Sequence, residues 1–153
     1  MNQNKMPVII GSDHAAYALK EKVKKYLAEQ QGIEVEDAGA YDENSVDYPD
    51  VGIRVTSSVS NGKYERGILL CGTGIGMSMV ANKFPHVRAA LCNDLFSAIM
   101  SKKHNNANML VMGGRVIGEE LALEIVKAWL ETSFDGGRHQ LRLDKFDQLN
   151  KCS

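Results

Sequence analysis

The order of apolar runs and helical patterns predicts an α/β protein, a doubly wound parallel sheet of five strands between two helical layers. Strand-like and helix-like stretches alternate along all 153 residues, as they do when each crossover between parallel strands is a helix. The first run, Val8-Ile9-Ile10, is apolar throughout, as a strand buried on both faces of a parallel sheet must be. No low-complexity tract, long linker or repeat interrupts the pattern, and proline is scarce. A single domain spanning 1–153 is therefore expected, large enough to bury roughly 70% of its unfolded surface.

Taken in order, Val8–Ile10 is the first strand, followed by a helix over Ala15–Gln30. Leu19, Val23, Tyr26 and Leu27 of that helix fall at helical spacing with lysines opposite. Gly32 stops it. Ile33, Val35 and Ala38 mark the second strand, and a polar loop runs from Gly39 to Pro49. Asp50 is a candidate cap for a helix reaching about Ser60, ended by Asn61-Gly62. Gly67–Cys71 is the third strand, and the glycine-rich 72–76 segment opens a helix expected over Met77–Lys83. Val87–Cys92 is the fourth strand, Asp94 starts a helix ending near Lys103, and Asn108–Met112 is the fifth strand. Leu121, Ala122, Ile125, Val126 and Trp129 form the apolar stripe of a long helix. Gly136-Gly137 precede a polar C-terminal helix expected at about 140–150. Right-handed crossovers and strand order 2-1-3-4-5 complete the expected topology.

Composition narrows the function classes. The net charge is −1, with both signs mixed along the chain, so neither a basic nucleic-acid groove nor a polybasic membrane patch is expected. The apolar run near the N-terminus is too short for a signal or a membrane span, which points to the cytoplasm. Cys71, Cys92 and Cys152 are odd in number with no CxxC spacing, unlike a secreted disulfide framework. Cys92 reads as core and Cys152 as tail. The histidines and cysteines lack metal-ligand spacing, so no metal site is expected.

In a doubly wound sheet ligands bind beyond the carboxyl ends of the strands, at the switch between strands one and three. Two clusters fall there: Ser12-Asp13-His14, and Cys71-Gly72-Thr73-Gly74-Ile75-Gly76. The second offers backbone N–H groups at a helix N-terminus, a setting for a phosphate or a developing oxyanion. A dinucleotide fingerprint is the competing reading, since Asp94 lies about twenty residues on. The GxGxG spacing and the position after the third strand depart from that fingerprint. Cys71 reads either as a small buried hydrophobe or as a nucleophile-type thiol, because a helix N-terminus raises the thiolate fraction of a preceding cysteine. Thr73 is near enough in sequence to hydrogen-bond a reacting oxygen. Asp13-His14 reads as a helix cap or as a pair at the pocket mouth. His104-Asn105-Asn106 reads as a polar helix end or as a proton shuttle. Arg138, His139 and Arg142, with Arg115, are either solvated or a clamp for a phosphate dianion. His86 is given no role.

Six ordered segments carry a resemblance: VIIGSDHAA (8–16), DYPD (47–50), GILLCGTGIGMSMVANK (67–83), VRAALC (87–92), KKHNNANMLVMGGRVIG (102–118) and FDGGRHQLRL (134–143). Together they resemble the ribose-5-phosphate isomerase B family over nearly the whole chain. The resemblance implies a Rossmann-like fold, interconversion of D-ribose 5-phosphate and D-ribulose 5-phosphate in the pentose phosphate pathway, no cofactor or metal, and a homodimer or homotetramer with shared sites. It implies Cys71 as the base, Thr73 assisting at the reacting oxygens, and His104 opening the furanose ring. Gly72, Thr73, Gly74, Ile75 and Gly76 would supply the anion hole, and Asp13, Tyr48 and Asn105 would contact the sugar. His14, Arg115, Arg138 and Arg142 would be the candidates for the phosphate. Some family members place a glutamate base where this chain has Met77, which aligns it with the cysteine-type members. Ser12 stands where a cysteine is often found.

The resemblance further implies allose 6-phosphate as a secondary substrate. The nearest rival is a galactose-6-phosphate isomerase subunit, disfavoured because Cys71 and His104 occur together here. A noncatalytic sugar-phosphate or nucleotide-binding module would need the fold and the loop but not the thiol. Topology adds one expectation. His104 and Asn105 precede strand five and should lie at the amino edge of the sheet, whereas Cys71 lies at the carboxyl edge. A single chain would not join them, but two chains could.

Overall fold

The computed structural model describes residues 5–149. Its sheet comprises β1 (Val8–Ser12), β2 (Val35–Asp37), β3 (Arg66–Cys71), β4 (Ala89–Leu91) and β5 (Met109–Gly113), with every pairing parallel. The connecting helices are α1 (Tyr17–Glu29), α2 (Tyr48–Ser60), α3 (Ile75–Ala81), α4 (Leu95–Lys103) and α5 (Glu119–Glu131), and α6 (Arg138–Leu149) follows. This is the Rossmann-like, three-layer architecture that the alternation of patterns requires. No described helix is long and apolar enough to cross a membrane.

Successive strand side chains point to opposite faces, and the two cores divide accordingly. Val8, Ile10, Ile68, Leu70, Leu110 and Met112 face one core, which is filled by Val23 and Leu27 of α1, Ala98 of α4, and Ile125, Val126 and Trp129 of α5. Ile9, Leu69, Cys71, Met109 and Val111 face the other, closed by Val51, Val55 and Val59 of α2 and by Met77 and Ala81 of α3. Cys71 thus belongs to the α2–α3 layer. Gly11 and Gly67 let α2 approach the sheet closely. A Cβ on Gly11 would lie 2.7 Å from both Val51 and Val55.

The strand order is β2-β1-β3-β5-β4, not the expected 2-1-3-4-5. Burial explains the exchange. All five residues of β5 are buried, and three of them, Met109, Leu110 and Val111, pair on both sides, Met109 with Gly67 and with Ala89. The three residues of β4 are only half-buried, and a short, partly exposed strand suits an edge. Asn82 covers part of that edge: its Nδ2 donates to Ala89 O at 2.9 Å and its Oδ1 accepts from Ala89 N at 2.9 Å. The switch between β1 and β3 is unaffected.

Two local expectations also change. The lysines of α1 were expected on the outer face, but Lys20 is fully buried and its Nζ lies 2.7 Å from Asp37 Oδ1. Lys24 reaches the same carboxylate at 2.6 Å. Asp37 sits at the carboxyl end of β2 beside α1 and supplies a counter-ion within the layer, which an analysis of periodicity alone cannot anticipate. Helix α2 begins at Tyr48, with Asp47 at the N-cap position and Asp50 inside the first turn. Pro49 fits there, because a first-turn residue needs no N–H partner. Cys92 is 1% exposed, as expected of core, whereas Cys152 lies outside the described residues.

Candidate active site

A cavity of about 500 Å³ opens beyond the carboxyl ends of β1 and β3, lined by Asp13, His14, Tyr48, Cys71, Gly72, Thr73, Ile75, Gly76, Met79 and Arg115. The chain builds it from four elements. Asp13 directly follows β1. Its N–H donates to Leu70 O at 3.1 Å, and its Oδ1 accepts from Ala16 N at 3.1 Å, capping a short 3-10 turn over His14–Ala16. The capping and pocket readings of Asp13 therefore hold together. Ser12 is gripped on both sides by the loop after β2: its N–H donates to Gly39 O and its carbonyl accepts from Ala40 N, both at 2.7 Å.

His14 Nδ1 accepts from Val46 N at 3.2 Å, so a neutral ring carries its proton on Nε2. The same bond ties the polar loop before α2 to the cavity rim. Tyr48, the first residue of α2, rests against Gly76, where a Cβ would lie 2.6 Å from the ring. Gly76 therefore leaves room for an aromatic wall.

Cys71 closes β3. Its side chain belongs to the α2–α3 core and is 5% exposed, yet it lines the cavity. The backbone turns sharply through Gly74 (φ +81°), which is the N-cap position of α3, and its N–H donates to Cys71 Sγ at 3.2 Å. Ile75 N–H donates to Thr73 Oγ1 at 3.2 Å, leaving the threonine its own O–H to give. Two of the loop N–H groups are thus committed to the sulfur and to Thr73 rather than offered to a ligand, a narrower anion hole than the glycine spacing suggests. Gly76 N–H remains in the first turn, where a helix has no internal acceptor.

Arg115 arrives by a backbone zipper between β5 and the loop. Gly114 N donates to Cys71 O at 2.8 Å, and Arg115 N to Gly72 O at 2.9 Å. Gly113 permits it, since a Cβ there would lie 2.5 Å from Thr73 O.

His104, Asn105, Arg138 and Arg142 do not line this cavity. His104 is the C-cap of α4, exposed, and its ring stacks on His139 with centroids 4.3 Å apart and 14° between planes. His139, at the start of α6, is 8% exposed. Burial holds its pKa below the usual histidine range, reinforced by His104, Arg138 and Arg142, against which Asp135 pulls upward. Asn105 lines a separate cavity with Phe84, Val87 and Arg88 on one side and Phe146 and Leu149 on the other. The residues predicted for the site therefore fall in two separate clusters, one around Cys71 and one around His104. His104, Asp135 and His139 also form a group with ligand-type atoms within 4.8 Å of one another. Sequence spacing missed it because the members come from separate segments.

A thiol at the N-terminus of a helix thus lies at the switch of a doubly wound sheet, in a cavity that an acid, an imidazole and an arginine also line. The class of protein is given by comparison with known families. The family model for ribose/galactose isomerase matches residues 8–146, and the chain belongs to that family. It is 43% identical to ribose-5-phosphate isomerase B of Escherichia coli, over 94% of this chain and 96% of that one. It is 47% identical to the D-erythrulose-4-phosphate isomerase of Pectobacterium atrosepticum, over 92% of each. The structure of Clostridium thermocellum ribose-5-phosphate isomerase B superposes with a TM-score of 0.92 at 47% identity, over 95% of this chain and 98% of that one.

Proposed function

We propose that this chain is a ribose-5-phosphate isomerase that uses Cys71 as its base. The observation that carries the reading is the cysteine sulfur at the cavity floor, accepting from Gly74 N–H at 3.2 Å. With the open-chain aldose bound, the thiolate takes the proton from C2, and the electron pair moves into a C1–C2 double bond, giving a cis-enediolate. The thiol then returns that proton to C1, while the proton on O2 passes to O1, aided by the Thr73 hydroxyl. Much of the barrier lies in the enediolate charge, and one well-placed donor there contributes about 3–4 kcal/mol. Gly76 N–H and Arg115 are the donors this chain offers at the cavity. Asp13 and Tyr48 contact the sugar, and His14 and Arg115 lie where they can reach its phosphate or hydroxyls.

The His104 cluster completes the Cys71 site in a homodimer, or a tetramer built from such dimers. His104 and Asn105 of one chain meet the Cys71 cavity of its partner, His104 assisting ring opening, and Arg138 and Arg142 clamp the phosphate. Holding the phosphate at a distance makes the proton transfer effectively intramolecular.

The test is ketose formation from ribose 5-phosphate. Cys71→Ala should lower turnover about 10²–10⁴-fold, the usual contribution of a positioned base, with sugar-phosphate binding kept. Near-normal turnover in that variant refutes the assignment. A second reading, a four-carbon keto-phosphate substrate, is favoured by the 47% identity to a D-erythrulose-4-phosphate isomerase. Comparing kcat/KM for ribose 5-phosphate, allose 6-phosphate and D-erythrulose 4-phosphate decides between them.

A further inference from the structure

Where α4 ends, three side chains of ligand type converge outside the Cys71 cavity. His104 is the C-cap of α4, Asp135 lies in the segment after α5, and His139 lies at the start of α6. Their ligand atoms, a ring nitrogen from each histidine and a carboxylate oxygen, all lie within 4.8 Å of one another. The backbone holds them together. Asp135 N donates to Lys103 O at 3.0 Å, which pins its segment beside His104. Gly136 and Gly137 follow with φ of +65° and +55°, a left-handed turn that glycine adopts at little cost. His139 N then donates to Gly136 O at 3.0 Å, closing the turn and setting the His139 ring on that of His104.

The set has one fixed member and two adjustable ones. His139 is buried, whereas His104 and Asp135 are exposed and can change rotamer. A tetrahedral zinc ion sets its nitrogen and oxygen donors about 3.4 Å apart. Closing the set from 4.8 Å to that spacing needs a swing of about 1–1.5 Å, within reach of a side-chain rotation at an exposed position. Among the described residues, no hydrogen bond or ion pair within the chain engages the Asp135 carboxylate or the ring nitrogens of the two histidines. Arg138 and Arg142 share α6 with His139 and oppose any cation. Binding must therefore come from coordination by imidazole rather than from net charge, which favours zinc, copper or nickel over magnesium or calcium.

We propose that His104, Asp135 and His139 form a binding site for a divalent cation of the zinc type, one ion per chain, with the fourth position left to water. Two histidines and a carboxylate are a donor set that holds zinc with one position open. Asp135 and His139 have no part in the isomerase chemistry, but the site shares His104 with it. An ion there takes the imidazole that ring opening needs, so metal binding and sugar turnover exclude each other. That exclusion rests on the role proposed for His104. The metal site itself does not.

The experiment is a zinc titration of the full, untagged chain in competition with a chromophoric chelator at neutral pH, with magnesium as a parallel arm. The wild type should take up one zinc ion per chain and no magnesium. His139→Gln and Asp135→Asn, each checked for a native unfolding transition, should weaken zinc binding at least about tenfold, the lower end for losing even an outer-shell partner of a metal. Asp135 is exposed, so its isosteric amide keeps the test in hand where the buried His139→Gln fails to fold. Cys71→Ala should bind zinc as the wild type does, since the thiol is outside the set. Turnover is read separately. Zinc should suppress ketose formation from ribose 5-phosphate in the wild type, and far less in Asp135→Asn. Full zinc occupancy with unchanged turnover would remove His104 from ring opening and leave the metal site standing. No zinc uptake, loss of uptake in Cys71→Ala, or equal uptake in the wild type and in both ligand variants overturns the proposal.

Discussion

Single residues set the chemistry of this site, and Gly74 is the most exacting of them. Its φ of +81° is disfavoured for any side chain, and a Cβ would lie 3.0 Å from Met112 C while pressing on Leu91. Gly74→Ala should cost about 1–3 kcal/mol from backbone strain alone, measured by urea denaturation. It should also cost activity, because relieving that strain shifts the backbone N–H that donates to Cys71 Sγ. His139 makes a different prediction. Its folded pKa lies below the ordinary 6.5, so the unfolded chain binds the proton more readily. Stability is untouched above about pH 6.5 and falls as pH drops from there toward the lowered folded value. The thermal midpoint of the wild type should therefore decline more steeply below about pH 6.5 than that of His139→Gln. A parallel decline in both would place the acid sensitivity elsewhere.

Among the elements, the junction of α1 with β2 shows where pattern analysis stops. Burial alone would push the Asp37 carboxyl up, but hydrogen bonds from Lys20, Lys24 and Gly39 N–H together hold it below the usual carboxylate range. The stability this confers is present above about pH 3.8 and is lost as pH falls through the lowered folded value. Asp37→Asn should cost about 3 kcal/mol, the lower end for breaking a buried pair, since Glu21 remains 3.4 Å from Lys20. A change under about 1 kcal/mol in chemical denaturation would mean that the pair acts like an exposed one. Nothing in the spacing of Lys20 along α1 reveals this, because the partner lies seventeen residues away in a different element. Strands β1, β3 and β5 were legible because their apolar runs are continuous, and so was the Cys71 loop, because glycine punctuates it. The order of β4 and β5 was not, since pairing depends on which strand can be buried on both sides. The stacking of His104 on His139 likewise joins segments that local pattern cannot connect.

For the whole molecule, the separation of the Cys71 and His104 clusters, together with the proposal that two chains share a site, makes a prediction that a one-chain enzyme would fail. Cys71→Ala and His104→Ala should each be nearly inactive alone. Mixed and allowed to exchange subunits, they should regain about a quarter of wild-type activity, because half of the dimers are mixed and each of those has one intact site. No recovery after demonstrated exchange would mean that each chain works alone. The way the sheet ends bears on how such copies can meet. Asn82 presents its amide to Ala89 as a neighbouring backbone would, so at that point the margin is already occupied by the molecule's own side chain. Growth into a continuous ribbon, the route by which exposed strands polymerise, is closed off there.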